Sequence, residues 1–357
     1  MNQARGAREA GAAYRRELYQ QPETLAALAQ RGEEFDALAE QLRRSRSRLV
    51  RLAGHGSSDN AASYGTYAFG LIAGLPAFRD SISLAVYYDT DFDLADSLVI
   101  ALSQSGRTPD VVSYLAHAAS QGATTLAVTA DLDSPLAEVA DACVSLGTGQ
   151  EEAIAATKTY TAELGILALL AAHLAGVGER YASALEEAAS ALAAWLAAPP
   201  PALEPLAAAL LESKRMMILA RGPEFATARE TALKLLETCR LAATPLTTTD
   251  FAHGPVAALD PDFPTWIIAA ADATLPAARA AAERASAAGC RVIVSGTGAG
   301  ALAEQASVLL PSAASPEPLL GPILSIAAGQ LFALALARAK GLDPDAPAGI
   351  SKVTLAP

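Results

Sequence analysis

The chain has 357 residues, 52% of them hydrophobic and 18% charged, which supplies a large buried core and excludes a disordered or collagen-like protein. A formal charge of −12 disfavours non-specific nucleic-acid binding, which needs clustered Lys and Arg against phosphates. Cys143, Cys239 and Cys290 stand far apart with no CxxC spacing, so they read as reduced thiols of a cytoplasmic protein.

Residues 1–45 read as a charged, helical arm that packs on the domains or on a partner subunit. Their first nine residues are polar and lack the apolar stretch of a signal peptide. A first domain then spans 46–198. Its apolar run 49–53 ends in Gly54-His55-Gly56-Ser57-Ser58, where two glycines allow close backbone approach and the serines open a helix. This is neither a complete GxGxxG nor a P-loop.

A second apolar run, 98–102, leads into Ser103-Gln104-Ser105-Gly106-Arg107-Thr108-Pro109-Asp110. Thr108 suits an N-cap and Pro109 the first helical position. Small hydroxyls, a glycine and a helix N-terminus suit a phosphate dianion, although an ordinary helix-capping turn has the same composition. His55 reads as a loop residue facing solvent or ligand.

The second half repeats the first. Aligning Leu52 with Leu219 gives 219 − 52 = 167, Leu98 with Trp266 gives 266 − 98 = 168, and Leu126 with Val292 gives 292 − 126 = 166. Three apolar strands recurring in order at matched spacing indicate a duplication. Continuous apolar strands alternating with Ala-rich helical segments imply parallel sheets covered on both faces. The expected fold is therefore α/β: two tandem doubly wound parallel-sheet domains of similar topology. The second domain takes 206–342, after a proline-rich linker at 199–205 that cannot continue a helix, and a non-helical tail takes 343–357. The apolar stretches 164–178 and 319–337 offer no clean membrane span, the latter being interrupted by Pro322 and Gln330. No membrane partner is expected.

On the helix after Pro223, Phe225, Ala228, Ala232, Leu235 and Cys239 form an apolar stripe, with Glu230, Lys234 and Glu237 opposite. Helical geometry alone favours a solvated face whose Glu230–Lys234 pair contributes tenths of a kcal/mol. The functional alternative presents a carboxylate and an amine to a cleft, where the carboxylate can move protons. His253 sits in a turn and Lys352 in the tail. The four histidines have no metal-ligand spacing, so no metal site is expected.

Five segments then carry a resemblance: Leu102-Ser103-Gln104-Ser105-Gly106-Arg107-Thr108, Ala155-Ala156-Thr157-Lys158, Ala232-Leu233-Lys234-Leu235-Leu236-Glu237, His253-Gly254-Pro255 and Ser351-Lys352-Val353-Thr354. In this order they resemble the sugar isomerase (SIS) family. Within it the pattern looks like the isomerase half of the glutamine–fructose-6-phosphate aminotransferases and resembles stand-alone glucosamine-6-phosphate deaminases. The resemblance implies flavodoxin-like SIS domains, no cofactor, and a hexosamine or hexose phosphate as partner. It implies that Ser57, Ser58, Ser103, Gln104, Ser105 and Thr108 hold the phosphate and that Ala155 and Ala156 line the sugar. Glu237 would move a proton between C1 and C2, and Lys234 would stabilise charge on the sugar oxygens. Lys352, in a tail that contributes to the site, would form a Schiff base with the open-chain ketose. His253 would assist ring opening across the interface of a homodimer.

Departures accompany the likeness. Asn2 stands where the aminotransferases carry their glutaminase cysteine, Ala156 where they have serine, and His55 where they have cysteine. The expected activity is therefore conversion of glucosamine 6-phosphate to fructose 6-phosphate and ammonia, without glutamine hydrolysis. Fructosamine-6-phosphate deglycase, galactosamine-6-phosphate deaminase and an ammonia-dependent aminotransferase are the alternatives. A non-catalytic phosphosugar sensor is disfavoured because no basic recognition helix is apparent and Glu237, His253 and Lys352 are all present. A nicotinamide oxidoreductase is disfavoured by the incomplete glycine pattern.

Overall fold

The computed structural model describes residues 9–45 and 47–352; Asn2, Val353 and Thr354 lie outside them. One sheet is built from β1 (Leu49–Ala53), β2 (Ala77–Arg79), β3 (Ser97–Leu102), β4 (Thr124–Thr129) and β5 (Ala142–Ser145). The other is built from β6 (Arg215–Ala220), β7 (Ala242–Thr247), β8 (Thr265–Ile268), β9 (Val292–Gly296) and β10 (Val308–Pro311). Their orders are β2-β1-β3-β4-β5 and β10-β9-β8-β6-β7, with every neighbouring pair parallel. Read from its opposite edge, the second order is the first one repeated.

The duplication extends to the register. Leu52 pairs with Ile100 and Ile100 with Leu126; Leu219 pairs with Ile267 and Ile267 with Val294. Equivalent positions are thus separated by 219 − 52 = 167, 267 − 100 = 167 and 294 − 126 = 168. The sequence pairings of Leu98 with Trp266 and Leu126 with Val292 were out by one and two residues, because a continuous apolar run carries no internal mark of phase.

Both faces of each sheet are buried. Along β3, Leu98, Ile100 and Leu102 join one apolar cluster while Val99 and Ala101 join another. Along β6, Met216 and Ile218 divide from Met217 and Leu219 in the same way. This follows from the two-residue period of a strand.

The N-terminal residues are part of the core. Helices Ala12–Tyr19, Gln21–Ala29 and Gly32–Arg44 place Tyr14, Leu18, Leu25 and Phe35 in the main cluster of the first domain. Asp345 of the tail accepts bonds from the amides of Ala13 (2.9 Å) and Tyr14 (2.7 Å), fastening this part of the tail to the first helix.

Two sequence expectations are corrected. Within the linker, Pro205 falls in the first turn of helix Leu203–Ala209, where its missing N–H breaks no helical bond. Pro322 likewise sits in the first turn of helix Gly321–Ala339 and does not interrupt it. Residues Pro318–Ala339 are long and apolar enough to cross a membrane by length and composition, but 89% of the relevant window is buried inside the protein. Gln330 is part of that packing and accepts from Gln21 Nε2 at 2.9 Å.

Candidate active site

In the order β2-β1-β3-β4-β5, the chain leaves β1 and β3 toward opposite sides. The crevice beyond their carboxyl ends is where such sheets bind ligands. A cavity of about 400 Å³ opens there, lined by His55, Gly56, Ser57, Ser58, Ser103, Gln104, Ser105, Thr108 and Asp110 from these two loops. Glu151, Ile154, Ala156, Thr159 and Lys352 line its remaining wall.

The loop after β3 is locked by a tight turn. Gly106 N donates to Ser103 O at 3.0 Å, and Gly106 has φ +62°. A Cβ at this position would lie 2.0 Å from Ser134 Oγ, so only glycine fits. Pro109 takes the first position of helix Pro109–Ser120, as its sequence suggests. Thr108 occupies the N-cap position, but its side chain makes no capping bond; its Oγ1 instead lies 3.2 Å from Ser103 Oγ. Helix Ser57–Ala68 also begins without a side-chain cap. Two helix N-termini, each carrying positive dipole ends, therefore meet a wall of hydroxyls.

Ser58 Oγ donates to Glu163 Oε1 at 2.7 Å. Burial raises the Glu163 carboxyl to about 8, with further push from Glu230 and Glu151 and only partial relief from the Ser58 bond.

Glu230, Lys234 and Glu237 contradict the solvated-face reading. Helix Glu224–Cys239 packs against helix Ser57–Ala68 of the first domain, leaving the Lys234 and Glu230 side chains 1% and 0% exposed. Lys234 Nζ lies 2.7 Å from Glu237 Oε2, 3.3 Å from Glu230 Oε1 and 3.3 Å from Ser57 Oγ. Ser57 Oγ and Asn60 Nδ2 donate to Glu230 at 2.9 and 2.8 Å. Burial opposes the charged amine, but Glu230 and Glu237 more than offset it and hold the Lys234 ammonium protonated. Breaking such a buried group by removing one partner costs about 3–5 kcal/mol.

Lys352 reaches the cavity from the tail. Its Nζ donates to Ala153 O at 2.6 Å and to Glu151 Oε2 at 3.1 Å. Glu151 also accepts from Thr157 N (2.9 Å) and Thr159 Oγ1 (2.8 Å). Burial would raise its carboxyl, yet the Lys352 charge and these bonds bring it below the ordinary carboxylate range.

Not every expected residue lines the cavity. Ala155 is buried and turned away, with Ile154 and Ala156 lining instead. Glu237 and Lys234 lie behind Ser57. His253 is exposed at the end of helix Thr248–Ala252, outside the cavity of its own chain. Sequence reasoning missed Glu151, Glu163 and Asp110. Glu151 stands four residues before Ala155 of the Ala155–Lys158 segment, a signal that could have been weighed. Each of the three also has a partner 55 or more residues away, His55 for Asp110, Ser58 for Glu163 and Lys352 for Glu151, which no local pattern encodes. Among the described residues no cluster of three His, Cys, Asp or Glu could hold a metal ion.

A family model for the SIS domain matches residues 42–173 and 209–339. The chain belongs to the SIS-domain family. Each match covers one of the two sheets. A glutamine–fructose-6-phosphate aminotransferase (isomerizing) of Thermococcus kodakarensis is 31% identical over 345 residues, covering 94% of this chain and 57% of that protein. This SIS-domain chain spans about half the length of the curated relatives it matches. A crystal structure of a candidate phosphosugar isomerase from Silicibacter pomeroyi is 30% identical, with a TM-score of 0.80 over 93% of this chain and 99% of that one. The C-terminal domain of the Francisella tularensis glucosamine–fructose-6-phosphate aminotransferase has a TM-score of 0.86 at 22% identity, covering 96% of this chain and 100% of that one, and shares its fold.

Proposed function

We propose that this SIS-domain protein is a phosphosugar deaminase/isomerase, acting first on glucosamine 6-phosphate to give fructose 6-phosphate and ammonia. The observation that carries the reading is a single cavity joining the hydroxyl-lined loops after β1 and β3 to the Lys352 amine. In this scheme the loop hydroxyls and helix N-termini take the phosphate. Glu237 moves a proton from C2 to C1 while a proton passes from the amine to O1, converting the open-chain 2-amino aldose to the C2 imine of fructose 6-phosphate. Lys352 exchanges with that imine and releases ammonia, and water then frees the ketose. Lys234 steadies charge on the sugar oxygens.

The thiols support a reaction without glutamine hydrolysis by these residues. Burial raises Cys239 to about 11 and also raises Cys143 and Cys290, whereas a thiolate nucleophile needs a lowered pKa. The exposure of His253 supports its service to a neighbouring subunit of a homodimer.

Ammonia release from a panel of hexosamine 6-phosphates and fructosamine 6-phosphates tests the reading. Turnover is expected with glucosamine 6-phosphate. Tight binding without turnover of any member would instead make the protein a sensor. Mixing His253→Ala with Glu237→Gln subunits is expected to restore partial activity in mixed dimers, and complete absence of recovery would make each chain self-contained.

A further inference from the structure

One pair in the cavity has no part in the scheme above. His55 Nε2 lies 2.7 Å from Asp110 Oδ2, and both residues line the cavity beside Ser57 and Thr108. An ionised carboxylate only accepts, so the ring carries its proton on Nε2. Nδ1 has no hydrogen-bond partner among the described residues, and the side chain is 54% exposed. The ring is thus oriented by one nitrogen and open at the other.

The charges around it set the problem a phosphate would meet. The lining carries two carboxylates, Asp110 and Glu151, against the single ammonium of Lys352, a formal −1 with His55 neutral. Lys352 is already bound to Glu151. Arg107, the one arginine of the β3 loop, is paired with Asp131 at 2.8 Å and does not line the cavity. On helix Ser57–Ala68, Asp59 is held by Arg79 and Arg229, both at 2.8 Å or less. Behind Ser57, Glu230 and Glu237 outnumber Lys234. A phosphate dianion therefore enters a net negative surrounding, in which the remaining group able to gain positive charge near neutral pH is the imidazole.

We propose that His55 is a phosphate-binding group that takes up a proton from solvent when a phosphosugar binds. The resulting imidazolium donates from Nε2 to Asp110 and from Nδ1 to a phosphate oxygen, bridging two anions that would otherwise repel. The inference rests on the phosphosugar reading. It makes recognition of the phosphate, rather than of the sugar ring, the step linked to protons.

Calorimetric titration with fructose 6-phosphate at pH 7.5, in buffers of different ionisation enthalpy, tests this. Wild-type protein is expected to take up about 0.5–1 proton per site, and His55→Asn to take up almost none while binding about tenfold more weakly. With only four histidines in the chain, imidazole nitrogen resonances can follow His55 directly, and saturation should convert it to imidazolium. Fructose, lacking the phosphate, should not. Normal binding without proton uptake, uptake unchanged in His55→Asn, or a neutral His55 in the saturated complex would each overturn the proposal and leave the phosphosugar site standing. Failure of both fructose 6-phosphate and glucosamine 6-phosphate to bind would overturn the site together with it.

Discussion

The two domains share strand order and register, yet their switch-point loops have been put to opposite uses. In the first, serines and backbone amides face a cavity. In the second, the equivalent positions are occupied by the chain's own acids. Glu224 stands where the first domain has Ser57 (224 − 57 = 167) and accepts from Thr227 Oγ1 and Ser325 Oγ, both at 2.7 Å. Asp272 stands where the first has Ser105 (272 − 105 = 167) and accepts from Thr274 N at 2.7 Å and Thr274 Oγ1 at 2.6 Å. The loops after β8 and β9 also touch through backbone: a Cβ on Gly298 would lie 2.6 Å from Ala270 O. An acidic side chain at each helix start takes the place that a bound anion would occupy in the first domain. Strand topology offers the crevice, and a few side chains decide whether it stays open.

The second domain instead packs the Glu230–Lys234–Glu237 face behind Ser57, one side chain removed from the residues that line the first domain's cavity. If binding belongs to one half and proton transfer to the other, substitutions should separate them. The largest effect is expected from Glu237→Gln, which should lower kcat by about 10²–10⁴-fold while leaving fructose 6-phosphate affinity nearly unchanged. Wild-type turnover in that variant would break the division. Next, Ser103→Ala should weaken fructose 6-phosphate binding about tenfold through loss of a hydrogen bond to a charged group. Asp272→Ser in the second domain should change neither binding nor its one-site stoichiometry; a second binding event in calorimetry would break the comparison.

The smallest effect concerns pH. Burial raises the Glu224 carboxyl to about 7, only partly offset by its two hydroxyl partners. Between the unfolded value near 4.5 and 7, the native protein keeps a proton that the unfolded chain has released, so stability falls as pH rises through this window. The slope is at most about 1.4 kcal/mol per pH unit for one group. Glu224→Gln should flatten that part of a urea-denaturation profile, and an unchanged slope would show that Glu224 does not titrate there. Glu163→Gln should act in the same sense up to about pH 8.

The strands legible in the sequence were β1, β3, β4, β6, β8 and β9, the inner three of each sheet. The four that were missed, β2, β5, β7 and β10, are the sheet edges. Inner strands are covered on both faces and become continuous apolar runs. Edge strands are short or tolerate groups such as Pro245 in β7 and Pro311 in β10, because one side needs no ladder bond. The hydroxyl loop was legible for a related reason, since its serines, Gly106 and Pro109 are local turn and helix-start signals. Lys234 was not, because a helix pattern states which residues share a face but not what covers it.

Sequence alone determined the duplication, the alternation of strand and helix, and the small polar loops at the strand ends. These depend on residue period and on turn chemistry within a few positions. Tertiary structure decided that the charged face of helix Glu224–Cys239 is buried, that Lys352 meets Glu151, and that His55 meets Asp110. Each is a contact between segments 55 or more residues apart, set by how the second domain packs behind Ser57 and how the tail reaches the crevice of the first domain.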